Sequence, residues 1–199
     1  MQERKGVIVL KQYIDEYVSG LKGVMDHFDP KEFEKVIGIL AKAYRGDKQV
    51  FIAGNGGSAA TANHFVCDFG KNAVLEPGKR RFRILSVSDN VEKITALGND
   101  LEYAEVFRQQ LMNLMNEDDV LIVVSASGNS PNVVRACEYA LEKKAHIIAL
   151  AGFDGGKIAR MAEASMIAQL TSYEQIEDIH LILLHMIVYY MKNHPEVLA

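Results

Sequence analysis

The sequence predicts an α/β fold: a three-layer αβα sandwich around a five-stranded parallel sheet, preceded by a pair of helices, all in one domain spanning residues 1–199. Three observations lead there. From Gln49 onward, short apolar runs alternate with segments of helical period, the pattern of strands paired in parallel through helical crossovers. The runs are continuously apolar, which marks strands covered on both faces. The first of them, Val50-Phe51-Ile52, breaks abruptly into Gly54-Asn55-Gly56-Gly57-Ser58 and then an Ala-rich helical stretch, a strand, tight turn and helix in succession. A chain of 199 residues is long enough for one sizeable core, and nothing in it indicates a second.

The helical pair occupies residues 1–46. Val9, Leu10, Tyr13, Ile14, Tyr17, Val18, Leu21 and Met25 follow the helical period across a helix from Val7 to Phe28. Asp29-Pro30 ends that helix and starts the next, because proline disfavours helix before it yet suits a first turn. The second helix runs from Pro30 to Tyr44 and closes at Gly46. Residues 49–170 hold the sheet, with strands at Val50–Ala53, Phe82–Val87, Val120–Ser125, Ile147–Ala151 and a weaker Ala164–Ile167. Helices are expected at Ala59–Asn72, Val91–Ala96, Tyr103–Leu114, Asn132–Lys143 and Gly156–Met161. A last helix, Tyr173–Asn193, stops before Pro195. Its stripe of Ile176, Ile179, Leu183, Met186, Ile187 and Tyr190 is broader than one neighbour requires, so helices shared between subunits, and hence a homo-oligomer, are expected.

A formal net charge of -4 argues against general nucleic-acid binding, and Lys79-Arg80-Arg81 reads as a solvated loop. Cys67 and Cys137 lack CxxC spacing, so neither a disulfide framework nor a cysteine zinc site is implied. No run is long enough to cross a bilayer and no cleavable leader is visible, which makes the cytoplasm the default.

Two corners carry chemistry. A glycine-rich turn lets the backbone approach a ligand, and the helix after it aims unpaired N–H groups and a positive dipole end at the same point. In the first corner Ser58 would add a hydroxyl at the helix start, where serine also caps well. The plain alternative is a βα loop with a capping serine. The second corner, Ser125-Ala126-Ser127-Gly128-Asn129-Ser130-Pro131, puts three hydroxyls around a glycine after the third strand, before another helix start. Both corners emerge at the carboxyl edge of the sheet, where open parallel sheets bind ligands. The glycines form no GxGxxG and no Walker lysine follows them, so no nucleotide cofactor is indicated.

The series GNGGS (Gly54–Ser58), His64-Phe65, Gly98-Asn99-Asp100 and SxSGNS (Ser125–Ser130) resembles the sugar isomerase (SIS) domain, of flavodoxin-like fold, and within it the phosphoheptose isomerases. The resemblance covers nearly the whole chain, including the terminal IEDIHLILLH. It implies an aldose–ketose isomerase of a phosphorylated sugar, interconverting sedoheptulose 7-phosphate and D-glycero-D-manno-heptose 7-phosphate through an enediol, in a tetramer. Asn55, Gly56, Gly57 and Ser58, with Asn99 and Asp100, would meet the sugar; Ser125, Ala126, Ser127 and Ser130 would hold the phosphate. Ala126 stands where the family often has threonine, which removes a hydroxyl and leaves the backbone N–H.

His64 and Asp68 lie four residues apart on one helix face, and Glu177 and His185 eight apart on another. Two histidines and two carboxylates suit a divalent metal such as zinc, although a lone histidine on an amphipathic helix is more often packed or solvated. These four coincide with the family's metal positions. The resemblance also makes Asp68 the general base and His185 its partner acid, and brings Asp68 and Glu177 to the substrate. The family has Glu where this chain has Asp68, and Gln where it has Glu177. The shorter Asp68 loses about one bond length of reach, and Glu177 adds a charge that opposes an anionic enediolate. Two alternatives stand: a non-catalytic phosphosugar-binding regulator of tetrameric build, and an isomerase of another sugar phosphate. A pure binding module has no need of this set of histidines and carboxylates.

Overall fold

The computed structural model describes the backbone of residues 2–199 and the side chains from Val9 onward; Met1, and the side chain of Val7 that opens the expected first helix, lie outside the described residues. Five strands, β1 (Gln49–Gly54), β2 (Arg83–Ser86), β3 (Val120–Ser125), β4 (His146–Gly152) and β5 (Ala164–Ala168), form one sheet. Its order is β2-β1-β3-β4-β5 and every pairing is parallel. β1 and β3 are neighbours at the centre, with Val50 opposite Val120 and Gly54 opposite Val124. Strand order reverses between them, so their carboxyl ends open onto the crevice where such sheets take ligands.

Alternation along the strands fills two cores. Val50, Ile52, Val120, Ile122, Val124, Ile148 and Leu150 face one layer; Phe51, Ala53, Leu121, Val123, Ile147, Ala149 and Ala151 face the other. The first layer is α2 (Pro30–Arg45), α3 (Gly57–Asn72) and α8 (Tyr173–Asn193), and the second includes α5 (Arg108–Leu114) and α6 (Pro131–Glu142). Each fully buried Ile, Leu or Phe here contributes about 1.5–3 kcal/mol of transfer free energy. Between these helices lie α4 (Val91–Asp100) and α7 (Gly156–Met161), and α1 (Gln2–Asp26) opens the chain. Asp29 caps α2 by accepting from the Lys31 N–H at 2.9 Å, with Pro30 in the first turn.

Four details depart from the sequence reading. α4 continues through Gly98 to Asp100 rather than ending at Ala96, which puts Asn99 and Asp100 in its last turn. The segment 103–114 is not one helix: a 3-10 turn at Tyr103–Glu105 precedes α5. The break lets buried Glu105 accept from Gln109 and Arg135 while Val106 and Phe107 enter the core. α3 starts at Gly57, two residues early, so Ser58 sits buried in its first turn and Gly56 takes the cap position. Finally, the apolar stripe of α8 is covered within the chain, since Ile176, Ile179, Leu183 and Ile187 are buried against the sheet and Met186 and Tyr190 pack beside them. The uncovered apolar face belongs to α1, where Val9, Leu10, Tyr13, Ile14 and Val18 are exposed. Among the described residues no helix is long and apolar enough to cross a membrane.

Candidate functional site

The first corner is built by close backbone contact. A side chain at Gly54 would strike the Ser58 backbone at 2.6 Å, because the first turn of α3 folds back over the end of β1. Gly56 has φ +53°, a conformation that glycine adopts without steric cost. No side chain caps α3, which leaves its leading N–H groups directed into the crevice.

The second corner is stitched to the turn that follows β4. Gly128 has φ +62°, and its α-carbon lies so close to Gly155 and Gly156 that a side chain on either surface would collide with backbone. The Gly128 carbonyl accepts from the N–H groups of Lys157 (2.9 Å) and Ile158 (3.1 Å), and Asn129 accepts from Lys157 and donates to the Ser127 carbonyl. Ser130 starts α6 without spending its hydroxyl as a cap. Asn55, Ser58, Ser125, Ser127, Ser130 and Glu177 share a cavity of about 160 Å³ between the corners. Ala126 lines it too, with its carbonyl tied to the Gly152 N–H at 2.8 Å.

The helices α3 and α8 run side by side in the same direction. At one end of their seam the Glu177 carboxylate presses against the α-carbon of Gly57, leaving no room for a side chain there. Farther along, His64, Asp68 and His185 converge. The two Nε2 atoms are 2.9 Å apart, and the Asp68 Oδ2 lies 3.2 Å from that of His64 and 3.5 Å from that of His185. Ligand atoms held at about 2.0–2.1 Å by one tetrahedral zinc stand roughly 3.4 Å apart, so this triangle fits three corners of such a site. The two histidines are about half exposed, so the triangle opens to solvent.

Glu177 stands apart from this group, which among the described residues contains only His64, Asp68 and His185. Eight residues of helix separate it from His185, about 12 Å, so the two share a face without meeting at a point. Asn99 and Asp100 are exposed, hydrogen-bonded to each other at 2.9 Å, and line no part of the cavity. Their nearest link to it is Tyr103, whose hydroxyl donates to Asn55 at 2.9 Å. Asn132, which nothing in the sequence reading singled out, pairs with Asn55 across the two corners. Its only sequence signal is its place two residues after Ser130, at a helix start. His180, on the buried face of α8, has both ring nitrogens without hydrogen-bond partners. Burial pushes its pKa down to about 4, opposed by a contact with the Ala151 backbone that falls short of hydrogen-bond geometry.

Two glycine-and-hydroxyl corners thus lie at the switch point of a 2-1-3-4-5 sheet. The SIS domain family covers residues 12–152. The chain belongs to that family. It is 33% identical over 156 residues to the phosphoheptose isomerase of Helicobacter pylori (strain P12), spanning 78% of this chain and 80% of that one. It is 35% identical over 154 residues to the phosphoheptose isomerase of Geobacter sp. (strain M21), spanning 77% and 79%. The solved phosphoheptose isomerase of Neisseria gonorrhoeae superposes with a TM-score of 0.83 at 28% identity, over 96% of this chain and 98% of that one. The Francisella tularensis structure of the same description shares the fold, with a TM-score of 0.85 at 22% identity over 94% and 98%.

Proposed function

We propose that this SIS protein is an aldose–ketose isomerase that interconverts sedoheptulose 7-phosphate and D-glycero-D-manno-heptose 7-phosphate. The observation that carries the reading is the α3–α8 seam, with an anion-receiving corner at one end and the His64–Asp68–His185 group farther along. From Gly57 to His64 the helix rises about 10 Å. An extended chain advances about 1.2 Å per bond, so the eight bonds from C1 to phosphorus in a heptose 7-phosphate also span about 10 Å. A pentose phosphate is some 2.4 Å shorter by the same count. The phosphate would sit among Ser125, the Ala126 N–H, Ser127 and Ser130, with Asn55, Gly56, Gly57 and Ser58 along the sugar and Asn99 and Asp100 reaching it only after a shift of α4.

Asp68 takes the proton from C1 of the ketose while His185 gives one to O2, which yields the enediol. His185 then recovers a proton from O1 and Asp68, its carboxyl proton having exchanged with solvent, gives a proton to C2, leaving the aldose with no net gain or loss of electrons. His64, Asp68 and His185 would hold a divalent metal, zinc by ligand type, and Glu177 would join them only by reorienting. Bound there, the metal supplies Lewis-acid polarisation of sugar oxygens. Glu177 otherwise stays at the corner, in the cavity that the phosphate-holding serines line, where its charge opposes the phosphate and the hydroxyls and backbone N–H groups must outweigh it. The exposed apolar face of α1 supports burial against further copies of the chain, and a tetramer is the assembly proposed.

Purified protein incubated with five-, six- and seven-carbon ketose phosphates tests this. Aldose product should form fastest from sedoheptulose 7-phosphate, and faster turnover of a shorter ketose would overturn the assignment. Binding of the sugar phosphate without any turnover would favour a non-catalytic regulator instead.

A further inference from the structure

Asn55 is tied into a polar cluster whose hydrogen-bond directions follow from one backbone group. The N–H of Val133 can only donate, and it is shared between the Ser130 carbonyl and Asn132 Oδ1, each at 3.0 Å, so an amide nitrogen in the Oδ1 position would set donor against donor. That fixes the Asn132 oxygen, and therefore its nitrogen. Asn132 Nδ2 must then donate to Asn55 Oδ1 (2.8 Å), and Asn55 Nδ2 donates back to Asn132 Oδ1 (2.9 Å). With Asn55 Oδ1 so identified, the Tyr103 hydroxyl can only donate to it, at 2.9 Å. Asn132 is 1% exposed, so its side of the pair is shielded from water.

Counting donors and acceptors gives the consequence. A side-chain amide oxygen has two lone pairs, and those of Asn55 are both taken, by Asn132 and Tyr103. Its nitrogen has two hydrogens, of which one is spent on Asn132. What remains for a ligand is a single N–H, on a residue that lines the cavity between the corners. We propose that Asn132 and Tyr103 are positioning residues that hold Asn55 as a pure hydrogen-bond donor to the bound sugar, so that the site accepts an oxygen there and rejects a group that can only donate. This rests on the isomerase reading above. The two donors into Oδ1 also polarise the amide, which strengthens the remaining N–H as a donor.

A double-mutant cycle tests it on sedoheptulose 7-phosphate, with melting temperature measured alongside. Asn132→Asp keeps the acceptor for Val133 but cannot donate to Asn55, so Asn55 Oδ1 loses a donor, faces a carboxylate oxygen and no longer holds the amide with its N–H toward the sugar; KM should rise about tenfold with kcat changed less than threefold. Tyr103→Phe, at a site 57% exposed where the fold is not at stake, should raise KM about threefold. Neither change should raise KM further in an Asn55→Ala background, because both residues act through Asn55. Effects that multiply in that background, an unchanged KM in Tyr103→Phe, or an Asn55→Ala variant with the KM of the wild type would each overturn the proposal. Should Asn132→Asp fail to fold, the Tyr103→Phe pair decides alone. Wild-type protein inert toward every phosphorylated ketose would overturn the isomerase reading itself, a failure distinguishable from loss of the Asn55 coupling in an active enzyme.

Discussion

Acidification should destabilise this protein through His180. The imidazole is fully buried beneath α8, and its pKa is held at about 4 against an ordinary value of 6.5. Because the unfolded chain binds the proton more readily, stability rises with pH across this window and is lost as pH falls from about 6.5 toward about 4. With 1.36 kcal/mol per pKa unit, the loss between pH 7.5 and pH 5 is about 2 kcal/mol, and it approaches about 3 kcal/mol at pH 4. Other carboxylates titrate in the same range, so the assay is a comparison. Urea unfolding of wild type and His180→Leu is followed at pH 7.5 and pH 5 and at one protein concentration. Leucine fills the same apolar surroundings among Ile176, Ile179 and Leu184 and removes two unpaired nitrogens, so at pH 7.5 the variant should be at least as stable as wild type. It should lose about 2 kcal/mol less than wild type on going to pH 5. Equal losses in the two proteins would refute the reasoning.

Three further outcomes follow from the packing and the site. Gly128→Ala places a side chain against the Gly155 backbone at positive φ, and a cost of about 2–3 kcal/mol should lower the melting temperature by about 5–10 °C and weaken sugar-phosphate binding; an unchanged melting curve contradicts the interlocked glycines. Protein prepared without chelators should carry about one divalent ion per chain by elemental analysis, and His64→Ala should reduce its affinity at least tenfold. Equal metal content and affinity in that variant would remove the His64–Asp68–His185 group from consideration. Asp29→Ala should cost about 1 kcal/mol in chemical denaturation through loss of the α2 cap, and no measurable cost would contradict the bond to Lys31.

The central strands were legible because burial on both faces leaves continuous apolar runs through the middle of β1, β3 and β4, and α8 because Pro195 ends a long periodic run. The end of helix α4 was not, since Gly98 invites a stop and the helix runs through it to Asp100. The break before α5 comes from tertiary contacts of Glu105, Val106 and Phe107, which no local signal announces. In the site, four-residue spacing put His64 and Asp68 on one face, but their meeting with His185 depends on α3 lying against α8, which spacing alone does not give. The same helical geometry explains Glu177: two turns preserve a face and still set the carboxylate about 12 Å from His185. The Asn55–Asn132 pair joins residues 77 apart in the chain, so only the folded sheet reveals it.

The claim on which the rest depends is that Asp68 moves a carbon-bound proton on a sugar whose phosphate lies at the other end of the α3–α8 seam. Conversion of sedoheptulose 7-phosphate in deuterium oxide, followed by proton NMR, measures this directly. The wild type should form the aldose with solvent deuterium at C2, and Asp68→Asn should slow both conversion and exchange by about 10²-fold or more. Undiminished exchange in Asp68→Asn, or a wild type that binds the sugar phosphate without exchanging any carbon-bound proton, would contradict it.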